Sequence, residues 1–166
     1  MNWVKRGSVQ MKPMPGTLPA TASNYLGRNS VANLLVDTGF LVALYIRRDA
    51  LHPQAIRFLR NNRAALLTVA PVITETCYFL DAKGKQEFLK WVSRGGMKVI
   101  EIPTSEYPGI AGYLDKYADQ DLDFTDAALI WLADSQKERR ILTVDKTDFS
   151  VFRLWGGLPF ELVDWN

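Results

Sequence analysis

The sequence predicts an α/β protein built around a parallel sheet, and three observations support this. From Val31 onward, short runs rich in Val, Ile and Leu alternate with amphipathic segments, which is the order of parallel βα units. The run Leu34–Val36 ends at Asp37, and a second apolar run begins at once, which is typical of a buried strand that turns into a helix. Since 48% of the 166 residues are hydrophobic, one domain can bury a sizeable core.

The first half of this pattern contains two strands and two helices. We predict a strand at 33–37 and a helix at 39–48, with Thr38 as the helix cap. Proline is tolerated in the first turn of a helix, so a second helix is expected at 52–62. The apolar run 64–69 predicts the second strand.

The next elements follow the same order. A helix at 71–82 begins close to the end of the second strand, and a helix at 85–94 carries its own apolar stripe. Gly95 and Gly96 end that helix, as glycine commonly does. We expect the third strand at 98–102.

The last part of the chain contains two helices and two strands. The helix at 105–119 precedes one at 123–138 that is apolar nearly all round, so we expect the latter to be buried. Short strands follow at 141–144 and 160–163. Residues 1–31 mix Pro, Gly, Ser and Asn without periodicity, and we interpret them as a loosely ordered N-terminal extension. That extension is either an interaction arm or a stretch added by an upstream start codon.

Composition excludes several classes of protein. A net charge of +2 permits a polyanionic partner without requiring one. The single cysteine, Cys77, excludes an internal disulfide and favours an intracellular, cytoplasmic protein. No run of 18 apolar residues occurs, so we expect no membrane span.

Four acids lie where an apolar element starts or stops: Asp37, Glu75, Asp126 and Asp145. A parallel sheet brings the carboxyl ends of its strands to one edge, so these carboxylates can converge on one pocket. Crowded carboxylates stay ionised when a hard cation such as Mg²⁺ or Mn²⁺ neutralises them, and the lack of His or Cys ligands argues against zinc. The chemistry that uses such clusters is metal-assisted phosphodiester hydrolysis. Taken alone, Asp37 can equally be a simple helix cap.

Four runs in this order resemble the PIN domain, in particular the VapC-type toxins of type II toxin–antitoxin systems: LLVDTGFLVAL, VITETCYFL, DLDFTDAALIWLA and ILTVDKTDF. The resemblance covers about residues 33–164, so we assign 32–166 to a PIN-like nuclease domain. It implies a three-layer α/β/α domain with a central, mainly parallel sheet. It also implies a Mg²⁺- or Mn²⁺-dependent endoribonuclease that acts on RNA, commonly forms a homodimer, and is silenced by a small antitoxin whose tail enters the site.

The four acids of the family match Asp37, Glu75, Asp126 and Asp145 of this sequence, in that order. The resemblance implies that these four residues bind the metal and act in catalysis. Asp121, Asp123 and Asp148 are additional nearby acids; Asp123 could cap the helix while Asp126 binds metal. The family often has Ser or Asn two positions after its first Asp, where this chain has Gly39. This departure puts in question a hydrogen bond to the metal site, not the ligands.

Basic and aromatic residues near the acids provide further candidates. Lys146 and Arg153 follow Asp145 closely and are the candidates for substrate contact. We expect the tryptophans to lie in the core or at a dimer contact; they are Trp91, Trp131, Trp155 and Trp165.

The same residues are compatible with other functions. The chain could be a catalytically silent PIN-like module that binds RNA or protein, or a non-toxin RNA-processing nuclease. A Mg²⁺ phosphatase that forms an aspartyl-phosphate on Asp37 is less favoured, because that chemistry usually needs a second Asp where Gly39 stands.

Overall fold

The computed structural model describes residues 32–120 and 122–166. The predicted extension, 1–31, and the additional acid Asp121 lie outside the described residues.

The centre of the molecule is a five-stranded sheet. Its strands are β1 (Asn33–Val36), β2 (Ala65–Val69), β3 (Lys98–Ile100), β4 (Arg140–Leu142) and β5 (Glu161–Leu162). They lie in the order β3-β2-β1-β4-β5, and every neighbouring pair is parallel, which confirms the predicted parallel sheet. The strand order reverses between β1 and β4, and in open α/β sheets ligands bind outside the carboxyl ends of the strands at such a point.

Helices flank this sheet and complete a three-layer α/β/α domain. The described residues form α1 (Thr38–Tyr45), α2 (His52–Asn61), α3 (Ala70–Phe79), α4 (Ala82–Trp91), α5 (Tyr107–Lys116), α6 (Phe124–Gln136) and α7 (Lys146–Val151). As its composition predicted, α6 is buried along the whole run 127–133. Gly95 adopts a positive φ of 84° where the turn after α4 ends, which glycine tolerates without strain.

Two predictions about the helices were wrong in detail, and one short helix was missed. The segment 71–82 is not one helix: α3 ends at Phe79, because the Asp81 side chain accepts a hydrogen bond from the Gly84 N–H and caps α4. Thr38 is the first residue of α1, and Asp37 is its cap. The six-residue helix α7 was not predicted, because it is too short to show a helical period.

The core contains large side chains from both faces of the sheet. Phe40 of α1 packs edge-to-face against Trp165, with ring centroids 4.9 Å apart. Trp131 and Trp165 are buried as expected, whereas Trp155 is 76% exposed and lies outside the core. Among the described residues, no helix is both long and apolar enough to cross a membrane.

Candidate active site

The strands β1 and β4 position the first acids. Asp37 directly follows β1, and its backbone N–H donates a 3.0 Å hydrogen bond to the carbonyl of Leu142 at the end of β4. Asp145 lies three residues beyond Leu142. The two acids therefore lie on either side of the point where the strand order reverses, as the strand-end rule predicted.

A cavity of about 450 Å³ opens at this edge, and five acids singled out in the sequence line it. They are Asp37, Glu75, Asp123, Asp126 and Asp145. A sixth acid, Asp49, also lines the cavity, although its side chain accepts a hydrogen bond from the Leu51 N–H in the turn before α2. Asp49 was not among the predicted site residues, because it lies in a polar turn and not at a strand end.

Asp37 is buried and held by two hydrogen bonds. Its Oδ1 accepts from the Thr38 N–H at 2.6 Å, and its Oδ2 accepts from the Thr143 hydroxyl at 2.8 Å. Burial raises the pKa of Asp37 to about 6, opposed by these hydrogen bonds and assisted by repulsion from Glu75. Asp37 is thus both a helix cap and a carboxylate of the cavity.

Two threonines orient the acids, and sequence reasoning did not identify this role. The Thr38 hydroxyl donates a 2.8 Å hydrogen bond to Oε2 of Glu75, which joins α1 to α3 across the site. The Thr143 hydroxyl, besides donating to Asp37, accepts from the Asp145 N–H at 2.9 Å. The signal available in the sequence was their position, because Thr38 adjoins Asp37 and Thr143 lies two residues before Asp145.

Asp126 has the most perturbed carboxyl of the cavity. Burial raises its pKa to about 8, and repulsion from Asp123 adds most to this, followed by the three other acids of the predicted set. Asp123 is the cap of α6, since its Oδ1 accepts from the Asp126 N–H at 2.9 Å. The four other acids each raise the pKa of Asp126 by repulsion, so the charges of the five carboxylates are coupled.

Three other candidates lie outside the lining of this cavity: Asp148, Lys146 and Arg153. Asp148 is exposed, and its N–H donates to the Asp145 carboxylate that caps α7. Lys146 is exposed, with its Nζ 3.7 Å from Asp164. The Arg153 guanidinium donates to three backbone carbonyls at the end of α7, at 2.7 to 2.8 Å.

The sequence that forms this site matches a known protein family. A family model described as the PIN domain matches residues 34–153. The matched range contains all four acids of the predicted set and the strands β1 to β4, except for Asn33, the first residue of β1. The chain belongs to the PIN-domain family. The match covers more than half of the sequence, so it does not depend on any one motif.

Two relatives of this PIN domain come from Mycobacterium tuberculosis. Ribonuclease VapC26 is 26% identical over 134 residues, which cover 78% of this chain and 99% of the relative. The crystal structure of VapC20, described as a sarcin-ricin loop cleaving toxin, superposes with a TM-score of 0.60 at 19% identity. That match covers 69% of this chain and 91% of VapC20, and it supports the fold.

The donor set of the PIN-domain cavity suits a hard divalent cation. Its acids offer only oxygen ligands, and the repulsion that raises the pKa of Asp126 is relieved by a positive charge. Within 32–120 and 122–166, no three Asp, Glu, His or Cys side chains form a ready-made metal-binding group. Mg²⁺ does not require one, because it keeps several waters and commonly binds one or two carboxylates together with substrate phosphate.

The departure at Gly39 has a steric reason in this PIN domain. A Cβ placed on Gly39 would lie 2.2 Å from Cγ2 of Val144, the residue between Thr143 and Asp145. Val144 thus occupies the space that a side chain at position 39 would need. The hydroxyl that reaches a site carboxylate comes instead from Thr38, one position earlier.

Proposed function

We propose that this PIN domain is an endoribonuclease that hydrolyses RNA phosphodiester bonds with Mg²⁺ or Mn²⁺. The carrying observation is the single cavity in which burial and four neighbouring acids raise the pKa of Asp126 to about 8. Carboxylates that repel one another in this way bind a divalent cation favourably, and a substrate phosphate then completes the ligands of that ion. The ribonuclease name of VapC26 supports the choice of RNA as the substrate.

Four acids are the proposed metal ligands and catalytic residues: Asp37, Glu75, Asp126 and Asp145. When bound, the ion supplies an activated water and stabilises charge on the leaving oxygen. The protein supplies orientation, because the Thr143 and Thr38 hydroxyls fix two of these carboxylates. Asp123 contributes charge and caps α6, whereas Asp148 is an outlying acid.

The proposed substrate contacts differ in strength. Lys146 begins α7 directly after Asp145 and is exposed, so it is free to approach a phosphate once it leaves Asp164. Arg153 is a weaker candidate, because its guanidinium already donates to the carbonyls of Ser150, Val151 and Phe152. We therefore assign the first contact to Lys146.

We further propose that the nuclease is the toxin of a toxin–antitoxin pair, acts in the cytoplasm as a homodimer, and is silenced by a small antitoxin. An arginine from the antitoxin would pair bidentately with the acids of the cavity. The rest of the antitoxin tail would need an exposed apolar surface nearby. Phe79 offers one, because it is 51% exposed. Leu80 is buried, and Phe58 and Leu59 pack against the core. Phe79 lies between the acidic cavity and one of about 560 Å³ that Arg47 and Arg48 help to line.

Induced expression in a bacterial host tests this function. We expect the full chain to arrest growth and to produce cleaved RNA in the cells, and the Asp37→Asn variant, matched in expression level, to do neither. Co-expression of the small reading frame adjacent to the gene should restore growth.

The rival functions give different results in the same experiment. Normal growth with specific RNA cleavage would identify a non-toxin RNA-processing nuclease. Normal growth without any cleavage, from abundant folded protein, would identify a silent module that binds RNA or protein.

A further inference from the structure

A second cavity, of about 780 Å³, adjoins the acidic cavity and shares Glu75 with it. It lies between the start of α3, the segment after β3 and the start of α6. Its walls include Tyr78, Tyr107, Phe124 and Ile102. This volume falls within the range of about 300–1,000 Å³ that is usual for ligand sites.

The aromatic walls of this cavity are open to solvent. Tyr78 is 83% exposed, Tyr107 50% and Phe124 44%. The rings of Tyr107 and Phe124 meet edge-to-face, with centroids 6.3 Å apart and an interplanar angle of 84°. Part of each ring therefore remains exposed, and a planar ligand can stack on that surface.

The charge of the cavity selects the part of an RNA that can enter it. Its lining, within the described part of the chain, contains the carboxylates of Glu75 and Glu101 and no Lys, Arg or His. Glu101, which is not among the proposed metal ligands, repels phosphate, whereas its carboxylate accepts hydrogen bonds from the amino and imino groups of a nucleobase. A neutral, planar base with donors on its edge thus suits this cavity, and a phosphate does not.

The position of Phe124 connects the two cavities. Phe124 is the first residue of α6, and Asp126 lies two residues later in the same turn. The helix start that presents Asp126 to the acidic cavity therefore also presents an aromatic ring to its neighbour. One nucleotide can place its phosphate at the first and its base at the second.

We propose that this cavity is a subsite for one unpaired nucleobase adjacent to the scissile phosphate. The inference rests on the proposed function, and it requires that the base bound in this cavity be unpaired. Bases in loops and single strands can be splayed out and stacked on aromatic side chains, whereas bases in an RNA duplex cannot. Tyr107 and Phe124 are then substrate-binding residues, distinct from the acids.

Two measurements test the subsite with the full chain. The first uses single-stranded RNA with 2-aminopurine at successive positions, bound to the Asp37→Asn variant in Mg²⁺. We expect fluorescence quenching at one position, and loss of that quenching in Tyr107→Leu and Phe124→Leu made in this background. Tyr107→Phe, which keeps the ring, and Trp155→Leu, which removes an exposed aromatic outside the cavity, should leave the quenching unchanged.

The second measurement compares cleavage rates in a cycle that changes the RNA and the protein, separately and together. Replacing the subsite nucleotide with an abasic one should lower kcat/KM of the wild type on the order of tenfold, as expected for loss of one stacked base. In the Tyr107→Leu/Phe124→Leu double variant, which lacks both rings, the same abasic replacement should have no further effect. Equal losses in the two proteins would overturn the subsite.

The outcomes separate the subsite from the nuclease itself. If the wild type cleaves RNA and no position shows quenching that depends on Tyr107 or Phe124, the subsite is wrong and the function stands. If quenching behaves as expected and the wild type cleaves nothing, the nuclease function is wrong and the base-binding cavity stands. If sedimentation shows that Tyr107→Leu converts a dimer to a monomer while quenching is unchanged, a second copy of the chain covers the cavity and the proposal fails.

Discussion

The Asp37→Asn substitution should stabilise the metal-free protein while abolishing cleavage. Burial raises the pKa of Asp37 from 3.8 to about 6, with repulsion from Glu75 adding to the effect. The folded protein therefore holds this proton more tightly than the unfolded chain. Stability falls as pH rises from 3.8 to about 6, and the loss persists above that range.

The size of the effect follows from the structure. Each pKa unit corresponds to about 1.4 kcal/mol, so the rise from 3.8 to about 6 costs about 3 kcal/mol at neutral pH. Asparagine has one acceptor in place of two, so it keeps the bond from the Thr38 N–H and disturbs the one from Thr143. That disturbance costs about 0.5–1.5 kcal/mol. We expect a net gain of about 1.5–2.5 kcal/mol.

Thermal unfolding in EDTA provides the assay. A gain of this size should raise Tm by about 3–10 °C at pH 7.5 and disappear at about pH 3, where the wild-type carboxyl is protonated in both states. Added Mg²⁺ should stabilise the wild type more than the variant. A variant less stable than the wild type at pH 7.5, or a gain independent of pH, would refute the reasoning about burial and crowding.

Three further substitutions test the surroundings of the acids. Thr38→Val removes the hydroxyl that orients Glu75 and should lower kcat/KM about 10- to 100-fold, whereas Thr38→Ser should retain activity; equal losses in both variants would count against that hydrogen bond. Gly39→Ala should destabilise the protein by about 1–3 kcal/mol in chemical denaturation, and adding Val144→Ala should recover most of it; additive effects would contradict the steric explanation. Arg153→Ala should lower Tm by several degrees and leave KM for RNA within about twofold, and the reverse pattern would make Arg153 a substrate contact.

The convergence of the acids was predictable because it follows from a topological rule. Asp37 and Asp145 each follow an apolar strand, and parallel strands bring their carboxyl ends to one edge. Glu75 lies in the second turn of α3 and Asp126 in the first turn of α6, and both helices begin at the same edge. The rule needs only the positions of strands and helix starts, which periodicity indicates reliably.

The details that were missed depend on single side chains. The hydroxyls of Thr38 and Thr143 reach carboxylates 37 and 106 residues away along the chain, a pairing that no local pattern records. Asp81 divides the predicted helix 71–82 by capping α4, although the surrounding residues continue the helical pattern. Trp155 is exposed in a turn that continues through Gly156 and Gly157, both of positive φ, and the apolar pattern around it does not indicate that turn.

Cleavage of a labelled single-stranded RNA by the purified protein, in EDTA and in Mg²⁺ or Mn²⁺, tests the central claim most directly. The account predicts internal cleavage only with the ion, because the crowded carboxylates need it to bind the phosphate and activate water. Asp37→Asn, folded and at least as stable, should be inactive under both conditions. Cleavage undiminished in excess EDTA, or retained in Asp37→Asn, would contradict the claim that these acids form a metal-dependent nuclease site.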